Sequence, residues 1–320
     1  MNFSIDAYQV GPLLYCPANH KTIADSLIHN QFGGHFSLAF CLEDTIKDSC
    51  VLEAEQILLQ SLKQIHTARQ SSDFFLPQIF IRVRTPEQIY HLTHRMQESR
   101  DIVTGFIAPK FSLSTGDAYI DILLKTNADF HTAFFLMPIL ESSEMIFPTS
   151  RYQMLSSLKD KIDAVSDRIL NVRVGGNDLC HAFGFRRHAD ESIYQLRPVA
   201  QLLTDIVTVF ARDYIVSGPV WEYYNGPLWE SGLLHELKED RLCGFIGKTA
   251  IHPKQIPVIN QAYQVSSNDY EDAKSILNWD ESSSSFVSAN ASKERMNEYK
   301  THTNWAMRTL LLAKTYGIRS

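Results

Sequence analysis

The chain has 320 residues, 44% hydrophobic and 21% charged, with 30 Lys and Arg against 36 Asp and Glu for a formal charge of −6. That composition supplies a large globular core and argues against a broadly basic nucleic-acid-binding face. It leaves room for a local cationic site that takes a small anion. Cys16, Cys41, Cys50, Cys180 and Cys243 are far apart and form no CxxC pair, so they read as reduced thiols rather than a disulfide frame or a zinc site. The N-terminus carries no evident signal peptide, and no apolar run approaches the ~20 residues that span a bilayer. A cytoplasmic protein without membrane or nucleic-acid partners is expected.

Strand-like and helix-like segments alternate along the chain. Residues 13–16 predict a first strand, followed by a helix from near His20, and 36–43 predict a second. Val51, Ala54, Leu58, Leu62 and Ile65 recur at the spacing of a one-faced helix. Residues 76–84 form the third predicted strand. Thr85, Pro86, Glu87 and Gln88 then read as a capping box with proline in the first turn. Strand four is expected over 101–110 with a helix over 118–124, and strand five over 134–141 with a helix from about Thr149. Strand six falls over 168–175, a helix over 197–211, strand seven over 212–219 and strand eight over 241–247. Strand five, FFLMPILE, is apolar on both faces, the mark of a parallel sheet covered by helices. Eight strands with intervening helices close most economically into an α/β (β/α)8 TIM barrel. An open doubly wound sheet is the competitor, and no Gly-rich fingerprint follows strand one to favour it. The barrel domain is expected over 1–265 and a C-terminal helical arm or lid over 266–320, with helices over 270–279 and 293–316 and a Ser-rich linker over 281–292. Asn290 opens a sequon that is discounted without a secretion signal.

Barrel active sites are built at the C-terminal ends of the strands. Several of the predicted strands end on polar groups: Glu43 and Asp44, Arg82 and Arg84, Lys110, Glu141, Asp178 and Lys248. Glu141 and Asp178, from neighbouring strands, suit Mg2+, which is held by one or two carboxylates with water and substrate oxygens. Either alone reads more simply as a helix cap. Arg82 and Arg84 are expected to point to opposite sides of strand three, so that only one faces the barrel, holds a substrate carboxylate and meets developing negative charge. The other should make a surface or helix-facing ion pair, and the pattern does not say which is which. GFIGKTAIHPKQ (244–255) reads as a turn where Lys248 could bind an anion and His252 either carries a proton or braces the loop. His91 and His94 read as a solvated helix face.

The ordered motifs LLYCPAN, CLEDTI, IRVR, IAPK, MPILES, GGNDL and GFIGKTAIHPKQI resemble those of the citrate lyase beta-subunit family, within the metal-dependent aldolases and acyl-CoA lyases, over about residues 11–263. The likeness implies that Arg82 binds substrate and enolate, that Glu141 and Asp178 ligate Mg2+ (or Mn2+), and that the Glu43–Asp44 pair organises water beside the metal. It further implies carbon–carbon bond cleavage or formation next to a carbonyl and a homo-oligomer, a trimer or larger. Cys41 stands where the family has aspartate, and Ala18, Asn19, His20 and Lys21 replace its glycine and arginine. A GKMID-type segment is absent, with Glu298 in RMNEYK as its remnant. These departures resemble the divergent lyase branch associated with tellurium-resistance gene clusters.

The sequence therefore predicts a Mg2+-dependent carbon–carbon lyase with Arg82, Glu43 and Asp44 as catalytic groups. Arg82, Arg84, Lys110, Lys248 and His252 are the candidate substrate-binding residues, and the expected substrate is a small carboxylated or acyl-CoA-like molecule. An acyl-CoA thioesterase or hydrolase on the same scaffold, and a barrel without catalysis serving as a binding subunit, stay open.

Overall fold

Eight parallel strands form one sheet: β1 (Pro12–Pro17), β2 (Ser37–Cys41), β3 (Ile79–Arg82), β4 (Val103–Ala108), β5 (Phe135–Leu140), β6 (Val172–Val174), β7 (Val216–Ser217) and β8 (Lys248–Ala250). In the computed structural model, which describes residues 5–279 and 284–319, β1 to β7 pair in chain order and β8 pairs with β1. A parallel bridge from Gly218 to Lys248, with Ile246 N–H donating to the Val216 carbonyl at 2.9 Å, closes the ring. The chain is a TIM barrel, as its alternation predicts. By contacts it divides into two units, residues 1–259 and 260–320.

The first unit carries α1 (Ile5–Gln9), α2 (Ile23–Ile28), α3 (Val51–Arg69), α4 (Pro86–Met96), α5 (Gly116–Phe130), α6 (Pro148–Asp163), α7 (Gly176–Phe183), α8 (Arg197–Phe210) and α9 (Trp229–Cys243). β5 is an apolar run because both its faces are covered: Leu136, Met137, Ile139 and Leu140 are all buried. α3 and α8 turn their periodic apolar residues inward, with Leu58, Leu62, Leu202 and Ile206 fully buried.

Four local expectations change. Residues 241–247 are not strand eight: 241–243 end α9, and β8 begins at Lys248. The helix expected over 118–124 runs over the full α5. Asp178 lies in the first turn of α7 rather than on a strand end. The capping box at Thr85 is not formed: its side chain makes no cap bond. Gln88 instead accepts the Arg84 N–H at 2.8 Å and donates to Glu55 at 2.7 Å.

The helix α10 (Gln255–Tyr263) is followed in the second unit by β9 (Val265–Ser266), α11 (Ser267–Leu277), the hairpin β10 (Val287–Ala289) and β11 (Met296–Glu298), α12 (Tyr299–Tyr316) and β12 (Ile318–Arg319). β9 and β12 pair in parallel, and Ala273, Ile276 and Ala306 form the core between α11 and α12. The expected linker is in part the β10–β11 hairpin, while residues 281–283 lie outside the described residues. Asn290 is buried in that hairpin, its side chain accepting the Glu294 N–H at 2.9 Å. Glu298 forms the N-cap position of α12 and accepts from the Thr301 hydroxyl at 2.8 Å.

Candidate active site

The strand register brings the polar ends together. Cys41 on β2 is level with Arg82, the last residue of β3, so Glu43 and Asp44 follow immediately above it. Arg82 is buried at 7% exposure. Its Nη2 forms an ion pair with Glu43 Oε2 at 2.6 Å and donates to Asp44 Oδ2 at 3.0 Å and Glu141 Oε1 at 3.5 Å. Lys110, two residues beyond β4, is in the left-handed region at φ 48°. That turn aims its backbone N–H at Glu141 Oε1, 2.8 Å away, while its half-exposed ammonium reaches Glu43 Oε1 and Asp44 Oδ1. Two cations and three carboxylates from β2, β3, β4 and β5 thus share one cluster at the top of the barrel.

Burial pushes the Glu141 carboxyl up to about 7; Arg82 pulls it down and the Asp178 carboxylate pushes it further up. Burial likewise raises Glu43, helped by its hydrogen bond with Asp44, against the pull of Arg82 and Lys110. Asp44 moves the other way: burial opposes ionisation, but the bond with Glu43 and the charges of Arg82 and Lys110 hold it below the usual carboxylate range. Adjacent carboxyl groups driven apart in this way can hold and pass a proton.

Gly175, at the end of β6, makes room for Glu141. A Cβ there would stand 2.0 Å from Glu141 Oε2 and 2.4 Å from its Cβ. Asp178 follows in the next turn, half-buried. Among the described residues no group of three or more His, Cys, Asp or Glu side chains is arranged to hold a metal. Two carboxylates, one buried and reluctant to ionise beside the other, fit a hard divalent ion that leaves its remaining positions to water and substrate.

The other sequence-predicted residues stand differently. Two positions apart, Arg82 and Arg84 would share a face of a continued strand, but β3 stops at Arg82. Arg84 turns to the 42–48 segment, donating to the Leu42 carbonyl at 2.9 Å and the Glu43 carbonyl at 3.1 Å, and also to the Ile46 carbonyl and Asp48. It positions the acidic pair rather than facing the barrel. Lys248 is not a loop cation open to an anion. It begins β8 at 0% exposure, its ammonium 2.9 Å from Glu236 and 2.7 Å from Asp240 on α9. Arg187 pairs with the same Glu236 at 3.0 Å. The His252 ring stacks on Tyr224 (centroids 4.7 Å, 2° between planes) and accepts the Lys254 N–H at 3.2 Å, which braces the loop.

Sequence reasoning passed over Gly175, Tyr15 and Arg173. The Tyr15 ring lies 5.7 Å from the Arg82 guanidinium carbon. Arg173 on β6, 1% exposed, reaches Thr249 on β8 at 2.7 Å. An arginine inside the three-residue apolar β6 was the available signal.

Solved structures share this fold. A citrate lyase from Burkholderia xenovorans LB400 superposes with a TM-score of 0.73 at 14% identity, covering 97% of this chain and 93% of its own. The CitE protein of Mycobacterium tuberculosis, in complex with magnesium, acetoacetate and coenzyme A, gives 0.61 at 17% identity over 96% and 99%. Its complex with magnesium and pyruvate gives 0.51 at 16% over 81% and 92%. No curated protein matches the chain in sequence. The model of the C–C bond lyases of the TIM-barrel fold matches residues 4–318, and the chain belongs to that family.

Proposed function

We propose that the chain is a Mg2+-dependent carbon–carbon lyase, acting on a small carboxylated substrate or its coenzyme A thioester by a retro-aldol or Claisen-type cleavage. The observation that carries this is the buried Glu141 carboxyl, raised to about 7 beside Asp178 and bonded to Arg82 and the Lys110 N–H. Glu141 and Asp178 hold the ion, Mg2+ or Mn2+. Bound there, it supplies a Lewis acid to a substrate oxygen.

The remaining work falls to the protein's own groups. Arg82 binds the substrate carboxylate and stabilises the negative charge that develops on the neighbouring oxygen as the carbon–carbon bond breaks. Its position, fixed by Glu43, Asp44 and Glu141, costs no reorganisation during reaction. The Glu43–Asp44 pair, with Lys110 across it, holds the proton that moves between substrate and solvent. Magnesium bound with acetoacetate and coenzyme A, or with pyruvate, in the M. tuberculosis CitE protein supports the choice of metal and of substrate class.

The test is a panel of hydroxy- and oxo-acids and their coenzyme A thioesters, read by mass spectrometry for paired carbonyl and acyl products. Cleavage that needs Mg2+, stops with chelator and is lost in Arg82→Met is expected. Thiol release without a new carbonyl product would instead favour thioester hydrolysis, and cleavage indifferent to chelator would reject the metal.

A further inference from the structure

Tyr15 sits at mid-height on β1, level with Ala39 of β2. The charged groups acting on it most strongly are Arg173 from β6 and Arg82 from β3, with Glu141 also close. Tyr15 is half-buried, and its hydroxyl makes no hydrogen bond to any described residue. Next to it, the buried Arg82 Nε–H also lacks an acceptor among the described residues. A phenylalanine would pack against Arg82 as well, so packing does not account for the hydroxyl. A buried donor without an acceptor, as the Arg82 Nε–H is, is costly unless something else accepts from it, and the Tyr15 hydroxyl beside it has a donor free for the same group.

We propose that the Tyr15 hydroxyl is a specificity-determining contact, donating to an anionic oxygen of a 2-oxo acid or related carboxylate that the Arg82 Nε–H holds beside it. Arg173, anchored to Thr249, is a positioning residue that keeps the surroundings of the phenol cationic. Cationic neighbours attract an anion and a phenol donates to it, so carboxylates are selected over neutral isosteres of the same shape. The inference rests on the functional reading above.

The experiment titrates pyruvate, at saturating Mg2+, into the wild type and Tyr15→Phe, with Mg2+ titrations and thermal melts of both unliganded proteins. Loss of one hydrogen bond to a charged group weakens pyruvate binding about 10- to 100-fold. Mg2+ affinity stays the same, and the unliganded melting temperature holds or rises because no internal bond is lost. Equal pyruvate affinity overturns the proposal, as does a variant that melts early and loses Mg2+ and pyruvate together, which marks a packing role. A wild type that binds Mg2+ but not pyruvate overturns the proposal and leaves the metal centre standing. A wild type that binds no Mg2+ overturns both.

Discussion

Replacing Gly175 by alanine adds one methyl group at the point where Glu141 passes β6. Gly175 has φ −90° and ψ 78°, a conformation open to alanine, so any effect comes from the Cβ itself. That atom would lie 2.0 Å from Glu141 Oε2, 2.4 Å from Glu141 Cβ and 2.9 Å from Cδ. Restoring a normal contact near ~3.5 Å requires the carboxylate to move by about 1.5 Å. The movement pulls Oε1 from the Lys110 N–H, now at 2.8 Å, and would displace a ligand of the proposed metal site, where Mg2+ tolerates little departure from ~2.0–2.1 Å. Overpacking of this kind destabilises by about 1–3 kcal/mol, and an ångström of misplacement costs on the order of a hundredfold in rate. Calorimetric Mg2+ titration and urea unfolding of Gly175→Ala should show at least a tenfold weaker ion and a lower midpoint. Wild-type affinity and stability together would refute the reasoning, because Glu141 would then have room that the structure denies it.

The raised Glu141 carboxyl makes the metal-free protein pH-sensitive. Its folded value of about 7 lies above the ordinary 4.5, so between those values the folded state holds more protons than the unfolded one. Stability from this group is present at the acid end and falls as pH rises through 7, by about 3 kcal/mol at most. Glu141→Gln should flatten that slope in melts run from pH 4.5 to 8. Among the described residues, Lys248→Met leaves the buried Asp240 carboxylate with the Tyr194 hydroxyl at 2.7 Å, while Glu236 keeps Arg187. Urea unfolding should show a loss of about 3–5 kcal/mol, and a neutral result would mean that the network is not closed to water.

The barrel was legible because its strands are continuous apolar runs that stop on polar residues. Glu141 could be read as a candidate site residue from its position after such a run. α9 was not legible, since its inward face carries Glu236 and Asp240 beside Leu233 and Leu237, and carboxylates on a buried face erase the amphipathic period. Their partner Lys248 was misread as a loop cation for the same reason: each charge looks solvated until its counterpart is known. The separation of Arg82 from Arg84 depends on where β3 ends, which local pattern leaves open. Gly175 and Tyr15 gain meaning only from what lies across the barrel from them, and spacing along the chain carries no trace of that. The hairpin of the second unit was hidden by its Ser-rich composition, although Arg295 ties it to Asp272 at 2.6 Å.

The central claim is that Glu141 and Asp178 together hold a divalent ion within reach of Arg82. It is tested most directly by crystals grown with Mn2+, which reports its own position by anomalous scattering. A single strong peak about 2.0–2.3 Å from an oxygen of each carboxylate, lost in Glu141→Ala and in Asp178→Ala, is the predicted result. A peak elsewhere, or one that survives both substitutions, contradicts the account.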